Sequence, residues 1–339
     1  MKTENIYDVN GYLNVPKIKK LADHADISFI VVIGSRQVGK TYGTLKLMLD
    51  KGEPFILMRR TQAEVDFILH SALNPFSAID SSITCKRASR YHGDIIRRGA
   101  TSDTDENVGI VLALTTISKI RGFSGAAFTD LVFDEFIPER HVMRFRGEGD
   151  AFLNAIVTIS GNRELDDKKP LRVWLLANAN NLQSPILSAL NLTAKVESMQ
   201  KKGQELSVMP ERGVLLMLPQ SKQLMEKRKK TALTKVISDK SEFSRMAFDN
   251  KFSYNDDTGV QPVRLSEYRF LCTVPDRFSV YIHKSSDVLA VTDPVNMQPS
   301  CRNLNQFSRL LPWARAAFLA DQIIFSSLRV RSIFEEFII

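Results

Sequence analysis

Cysteine is scarce in this 339-residue chain: Cys85, Cys272 and Cys301 stand far apart, with no C-x-x-C spacing. That excludes a disulfide framework, argues against structural zinc, and suits reduced thiols in a reducing compartment. Long apolar runs are missing too. None approaches the ~20 residues of a membrane-spanning helix, and Met1 to Pro16 lacks the apolar core of a signal peptide. The expectation is a soluble intracellular protein with no membrane partner. Carboxylates are sparse at the strand ends of the C-terminal part, where only Asp293 falls at a tip. A two-metal nuclease needs three or four converging acids, so that chemistry is not expected.

Positive charge is in excess, 46 Lys plus Arg against 38 Asp plus Glu, for a net +8 and a pI near 9.3. From residue 231 onward the count is 13 basic to 12 acidic, so the excess lies almost wholly upstream. A polyanionic partner fits, although a moderate excess alone does not establish one. The length suits two domains.

One octapeptide organises the rest: Gly34, Ser35, Arg36, Gln37, Val38, Gly39, Lys40 and Thr41. It follows the apolar run Ile27 to Ile33 and precedes helical spacing from Thr41 to Leu49, the setting in which G-x-x-x-x-G-K-[S/T] is a phosphate-binding loop. The two glycines let successive backbone N–H groups converge on phosphate oxygens. Lys40 reaches the β- and γ-phosphates, and the Thr41 hydroxyl ligates Mg²⁺. The expected cofactors are ATP and Mg²⁺.

A short strand, Phe55 to Met58, ends in Arg59 and Arg60, at the sheet end where α/β proteins present ligand-contacting groups. Arg59 is a candidate nucleotide contact, with a solvated side chain the alternative. Strand-like spacing from Ile83 to Thr115 predicts antiparallel strands beside a parallel core, carrying a basic cluster from Lys86 to Arg98. Leu131-Val132-Phe133-Asp134-Glu135 is a Walker B pattern. Asp134 holds Mg²⁺ through its water shell, and Glu135 orients and deprotonates the attacking water. A third buried strand, Arg172 to Ala177, ends at Asn178, placed to sense the γ-phosphate; an asparagine that only turns the chain is the bland alternative. Residues 1–200 read as the ATPase domain. Residues 201–232 read as a linker ending in a basic helix that touches nucleic acid or is merely solvated. Residues 233–339 read as a second domain of three strands, Tyr268–Val274, Phe278–His283 and Val288–Val291, followed by helices.

With these motifs in place, the chain resembles the genome-packaging ATPases of phi29-like phages, relatives of terminase large subunits. The likeness rests on the phosphate loop with its internal arginine, Phe55 to Arg60, Val132 to Ile137, Asn162-Arg163-Glu164 and Leu176 to Ala179. The resemblance implies an α/β fold: an ASCE-type P-loop domain plus a smaller α+β domain resembling an RNase H-like nuclease without its carboxylates. It implies a homo-oligomeric, pentameric ring at the portal vertex of a procapsid in the host cytoplasm, driving double-stranded DNA inward, in some phages through a packaging RNA. It places Arg163 as an arginine finger acting in trans on a neighbour's nucleotide, and Arg121 near a second such residue. The competing readings are a terminase with an active nuclease and an ATP-gated DNA-binding assembly protein. The Asp-Glu pair argues against a small-molecule kinase.

Overall fold

The structure is a computed structural model and describes residues 6–70, 74–120, 125–138, 145, 147–179, 184–228, 230–231, 259–300 and 310–338. The chain divides into two compact units. The first is formed by residues 1–142, 151–180 and 198–253, the second by 143–150, 181–197 and 254–339.

The first unit is built on a nine-stranded sheet. Helix α1 (Val15–His24) is capped by the Asn14 side chain, which accepts from the Lys17 amide. It leads into β1 (Phe29–Gly34), whose apolar residues are buried on both faces, as a central parallel strand requires. Helix α2 (Lys40–Lys51) buries Thr44, Leu45, Met48 and Leu49 at helical spacing and stops at Gly52, whose φ of +70° is a left-handed C-cap. Then come β2 (Phe55–Arg59), α3 (Gln62–His70), β3 (Ile83–Arg87), β4 (His92–Arg97), β5 (Glu106–Ala113), β6 (Asp130–Asp134), α4 (Glu148–Ser160) and β7 (Arg172–Asn178). After α5 (Pro185–Ala189), which belongs to the second unit, and α6 (Thr193–Lys202), whose residues are divided between the two, the chain adds β8 (Leu206–Met209), β9 (Val214–Met217) and α7 (Lys222–Arg228) to the first.

The strand order is β3-β4-β5-β2-β6-β7-β1-β9-β8. The six strands from β5 to β9 in that order run parallel, and β4, β3 and β8 attach antiparallel at the edges. The expected antiparallel additions are therefore present. At the centre, Trp174 is fully buried and its indole N–H donates to Asp130 at 3.1 Å, which also receives Lys51 at 2.6 Å. A buried indole thus keeps its polar handle satisfied.

The stretch 201–232 differs from its sequence reading as a linker. Here β9 pairs parallel with β1 from Phe29 to Val32, and β8 closes the sheet beyond it. Pro210 opens the turn between the two strands, which Gly213 finishes at a φ of +61°. The apolar run Val214 to Leu218 reads as a strand in the sequence and forms β9, whereas the four residues of β8 carry no such signal.

The second unit is α+β. Strands β10 (Tyr268–Val274), β11 (Phe278–His283) and β12 (Leu289–Thr292) run antiparallel in that order. Helix α8 (Leu311–Leu319) then crosses to β13 (Ile323–Phe325), parallel to β12, and α9 (Leu328–Ile338) covers the sheet. Phe278, Phe325 and Phe334 form its aromatic centre, and Arg331 pairs with Glu335 at 2.9 Å while lying over the Phe325 ring. Three residues carry no alternation, and β13 was not expected. Among the described residues no helix is long and apolar enough to cross a membrane.

Candidate active site

Three adjacent strands bring the predicted residues together at their C-terminal ends. Gly34 at the tip of β1 pairs in register with Asn178 at the tip of β7, and Asp134 of β6 is level with Leu176. β7 thus lies between the phosphate-loop strand and the acidic strand, which puts β1 and β6 about 10 Å apart at ~4.8 Å per strand. That gap is filled by a short bond network. Lys40 is buried, and its ammonium donates to the carbonyls of Gly34 at 3.0 Å and Ser35 at 2.8 Å and to Asn178 Oδ1 at 3.1 Å. The Thr41 hydroxyl donates to Asp134 Oδ1 at 2.9 Å.

The loop's shape follows from its residues. Gly39 sits at φ +89° where α2 begins, and Gln37 also takes a left-handed φ of +59°. Gly34 serves differently: a Cβ there would lie 2.7 Å from the Pro219 ring, so the absent side chain admits a close packing neighbour. Ser35, Arg36 and Val38 complete the curl, and the Val38 carbonyl accepts the Leu13 amide at 3.0 Å.

Burial pushes the Lys40 ammonium down to about 7; Arg228 and Arg36 act the same way, while Asp134 and Glu135 oppose them. An anion arriving at the loop restores the charge that burial disfavours. On the opposite side Arg59 bridges both acids, at 3.0 Å to Asp134 Oδ2 and 3.3 Å to Glu135 Oε2. Glu135 directly follows β6 with a φ of +60°, rare for a residue with a side chain, and its carboxylate is about half exposed. A cavity of about 340 Å³ opens over Lys40, Thr41, Asp134, Glu135 and Asn178. The hydroxyl of Thr41 and the carboxylate of Asp134, hard oxygens within hydrogen-bond reach, fit a hydrated Mg²⁺. Beside it, a mostly apolar cavity of about 570 Å³ continues past Gly39 between Tyr12, Leu13, Tyr42 and Leu47.

Other residues lie elsewhere. Arg121 falls outside the described residues. Arg163 is buried in the turn after α4. Its guanidinium donates to the carbonyls of Gly125 and Phe128, both at 2.8 Å, and to that of Ser160 at 3.3 Å. It borders a polar cavity with Ser28, Glu53, Asp130 and Arg172 at the N-terminal ends of the strands, one strand length (roughly 13 Å) from Asp134. These bonds hold the guanidinium to its own unit in this structure. Here Arg163 ties α4 to the segment entering β6, and Arg163→Ala is expected to lower unfolding stability by about 2–4 kcal/mol in a denaturant titration. Unchanged stability would show that the three bonds carry little.

Sequence reasoning missed the part played by Arg228. Its Nη1 donates to Ser35 Oγ at 2.9 Å and its Nη2 to the Arg36 carbonyl, so a residue expected on a helix that faces nucleic acid or solvent is buried against the phosphate loop. Nearly two hundred residues separate these partners, and no local pattern links them.

The chain superposes on the phi-28 gp11 DNA packaging motor with a TM-score of 0.64 and 15% identity, over 94% of this chain and 97% of that one. The bacteriophage phi-29 viral genome packaging motor assembly gives 0.57 and 18%, over 96% and 99%. These likenesses concern the fold, both units included. No curated protein matches. The profile of the podovirus DNA encapsidation proteins (Gp16) matches residues 12–304, which span both units. With the phosphate loop, the acidic strand and the whole fold in agreement, the chain belongs to the podovirus DNA encapsidation protein (Gp16) family.

Proposed function

We propose that this chain is the ATP-hydrolysing subunit of a ring-shaped motor that drives double-stranded viral DNA into a preformed procapsid. The observation that carries the reading is the convergence of Lys40, Thr41, Asp134, Glu135 and Asn178 on one cavity at three neighbouring strand tips. The loop amides and Lys40 hold the phosphates. The apolar cavity between Tyr12 and Tyr42 offers aromatic faces for the base. Thr41 and Asp134 hold Mg²⁺, which when bound neutralises charge on the phosphates. Glu135 takes the proton from the attacking water, and Asn178, already within reach of Lys40, hydrogen-bonds the terminal phosphate. The DNA and procapsid partners come from the family: its members are DNA encapsidation proteins. The ring follows from the resemblance, and the basic first 230 residues suit the DNA.

We propose no nuclease role for the second unit: Asp293, its one acid at a strand tip, is engaged by Arg329 at 2.8 Å.

The test is steady-state ATP turnover with and without double-stranded DNA and empty procapsids. DNA is expected to stimulate turnover, and the stimulation to fall steeply between 50 and roughly 200 mM salt because phosphate contacts release counterions. Stimulation indifferent to salt would point to a protein partner instead. Supercoiled plasmid incubated with Mn²⁺ in the same assay is expected to remain intact; nicking lost in Asp293→Ala would establish a nuclease.

A further inference from the structure

We infer that Arg228 is a positioning residue, a latch that holds the phosphate loop in its nucleotide-accepting shape and couples the state of that loop to α7. The inference rests on the proposed ATP site. The loop is gripped from two sides at Ser35: Lys40 takes its carbonyl at 2.8 Å, and Arg228 takes its hydroxyl at 2.9 Å and the next carbonyl as well. The helix that carries Arg228 is fixed in turn to the N-terminal segment. Gln223 donates to the Val9 carbonyl at 3.1 Å and Lys227 to that of Asn10 at 3.0 Å. A few residues on, the Leu13 amide donates to Val38 of the loop. The bonds therefore close a ring: loop, N-terminal segment, α7, and loop again through Arg228.

That ring has two physical consequences. An arginine bonded to a hydroxyl and a carbonyl holds the loop open before any phosphate arrives, so the ordering cost is met in advance. It also makes α7 the mechanical neighbour of the loop. α7 is the last described element of the first unit. A change of loop shape on nucleotide binding or release is thus felt at α7 through Arg228. Arg228 touches no reacting atom in this scheme. Its loss raises the cost of binding and leaves the bound, phosphate-organised loop competent for chemistry.

The experiment uses the full chain with a non-hydrolysable ATP analogue and Mg²⁺. Arg228→Gln is expected to weaken analogue binding roughly 10- to 100-fold. Turnover at saturating ATP should stay within about threefold of wild type, and Arg228→Lys should recover part of the affinity. In wild type the analogue is expected to slow amide exchange across Met225–Arg228; in Arg228→Gln that response should vanish. Where Arg228→Gln folds poorly, Ser35→Ala removes one acceptor and should weaken binding in the same direction by a smaller factor. Unchanged affinity in the variants overturns the inference. So does lowered turnover at unchanged affinity, or wild-type exchange at α7 that ignores the analogue. A wild-type protein that binds no nucleotide overturns the ATP-site reading and this inference with it.

Discussion

Glu135→Gln is expected to bind nucleotide within a few-fold of wild type while turnover falls by roughly 10²-fold or more. Lys40 and Asp134 are buried at the loop and Thr41 is half-buried, whereas the Glu135 carboxylate is about half exposed at the mouth of the same cavity. A group that reaches water there suits proton transfer better than grip on the phosphates. The backbone φ of +60° aims the side chain from the end of β6, and Arg59 at 3.3 Å steadies it. Glutamine keeps the size and can still meet a water, but it accepts no proton. Single-turnover measurements with saturating ATP separate the two steps. Full turnover in this variant would remove Glu135 as the base; lost binding would place it on the ground-state phosphates.

Lys40→Ala is expected to lose both properties, with kcat/KM falling by about 10³-fold or more. The ammonium meets the phosphates before and during the reaction, so its removal acts on ground state and transition state together. The structure adds a second cost. Lys40 is the tie among Gly34, Ser35 and Asn178, and alanine leaves those acceptors without it in a buried place. The cleanest reading comes from the pair of variants measured side by side. Glu135→Gln should lose rate at retained affinity, and Lys40→Ala should lose affinity and rate alike. Affinity retained in Lys40→Ala would mean that the loop amides alone hold the anion.

What the sequence disclosed was whatever chemistry is written locally. The phosphate loop is eight consecutive residues with four positions fixed in type by the pattern G-x-x-x-x-G-K-[S/T], and Asp134-Glu135 closes a buried strand that begins at Asp130. Asn178 was legible because a buried run ended on it, and the structure puts it within hydrogen-bond reach of Lys40. The order of strands was not written locally: register between β1, β6 and β7 depends on crossovers that no short window contains. Arg228 shows the limit most clearly, since a basic residue on a basic helix reads as solvated or nucleic-acid-facing, yet α7 folds back onto the loop. Arg163 shows the converse. A motif resemblance assigned it to an interface, while three carbonyls of its own unit occupy it in this structure.

The attachment of β9 to β1 also sets where the polypeptide tolerates being cut. The strand that ends in the phosphate loop is flanked by β7 on one side and β9 on the other. A fragment stopping at residue 200 removes β8 and β9, and four residues of β1 then present bare backbone N–H and C=O groups along one flank. Such a flank recruits other strands, so that fragment is prone to self-association. It also lacks Arg228 and every residue of α7. A fragment carried past Thr231 retains the strand, the helix and the arginine, and is the shorter form of the first unit in which nucleotide binding has its structural support.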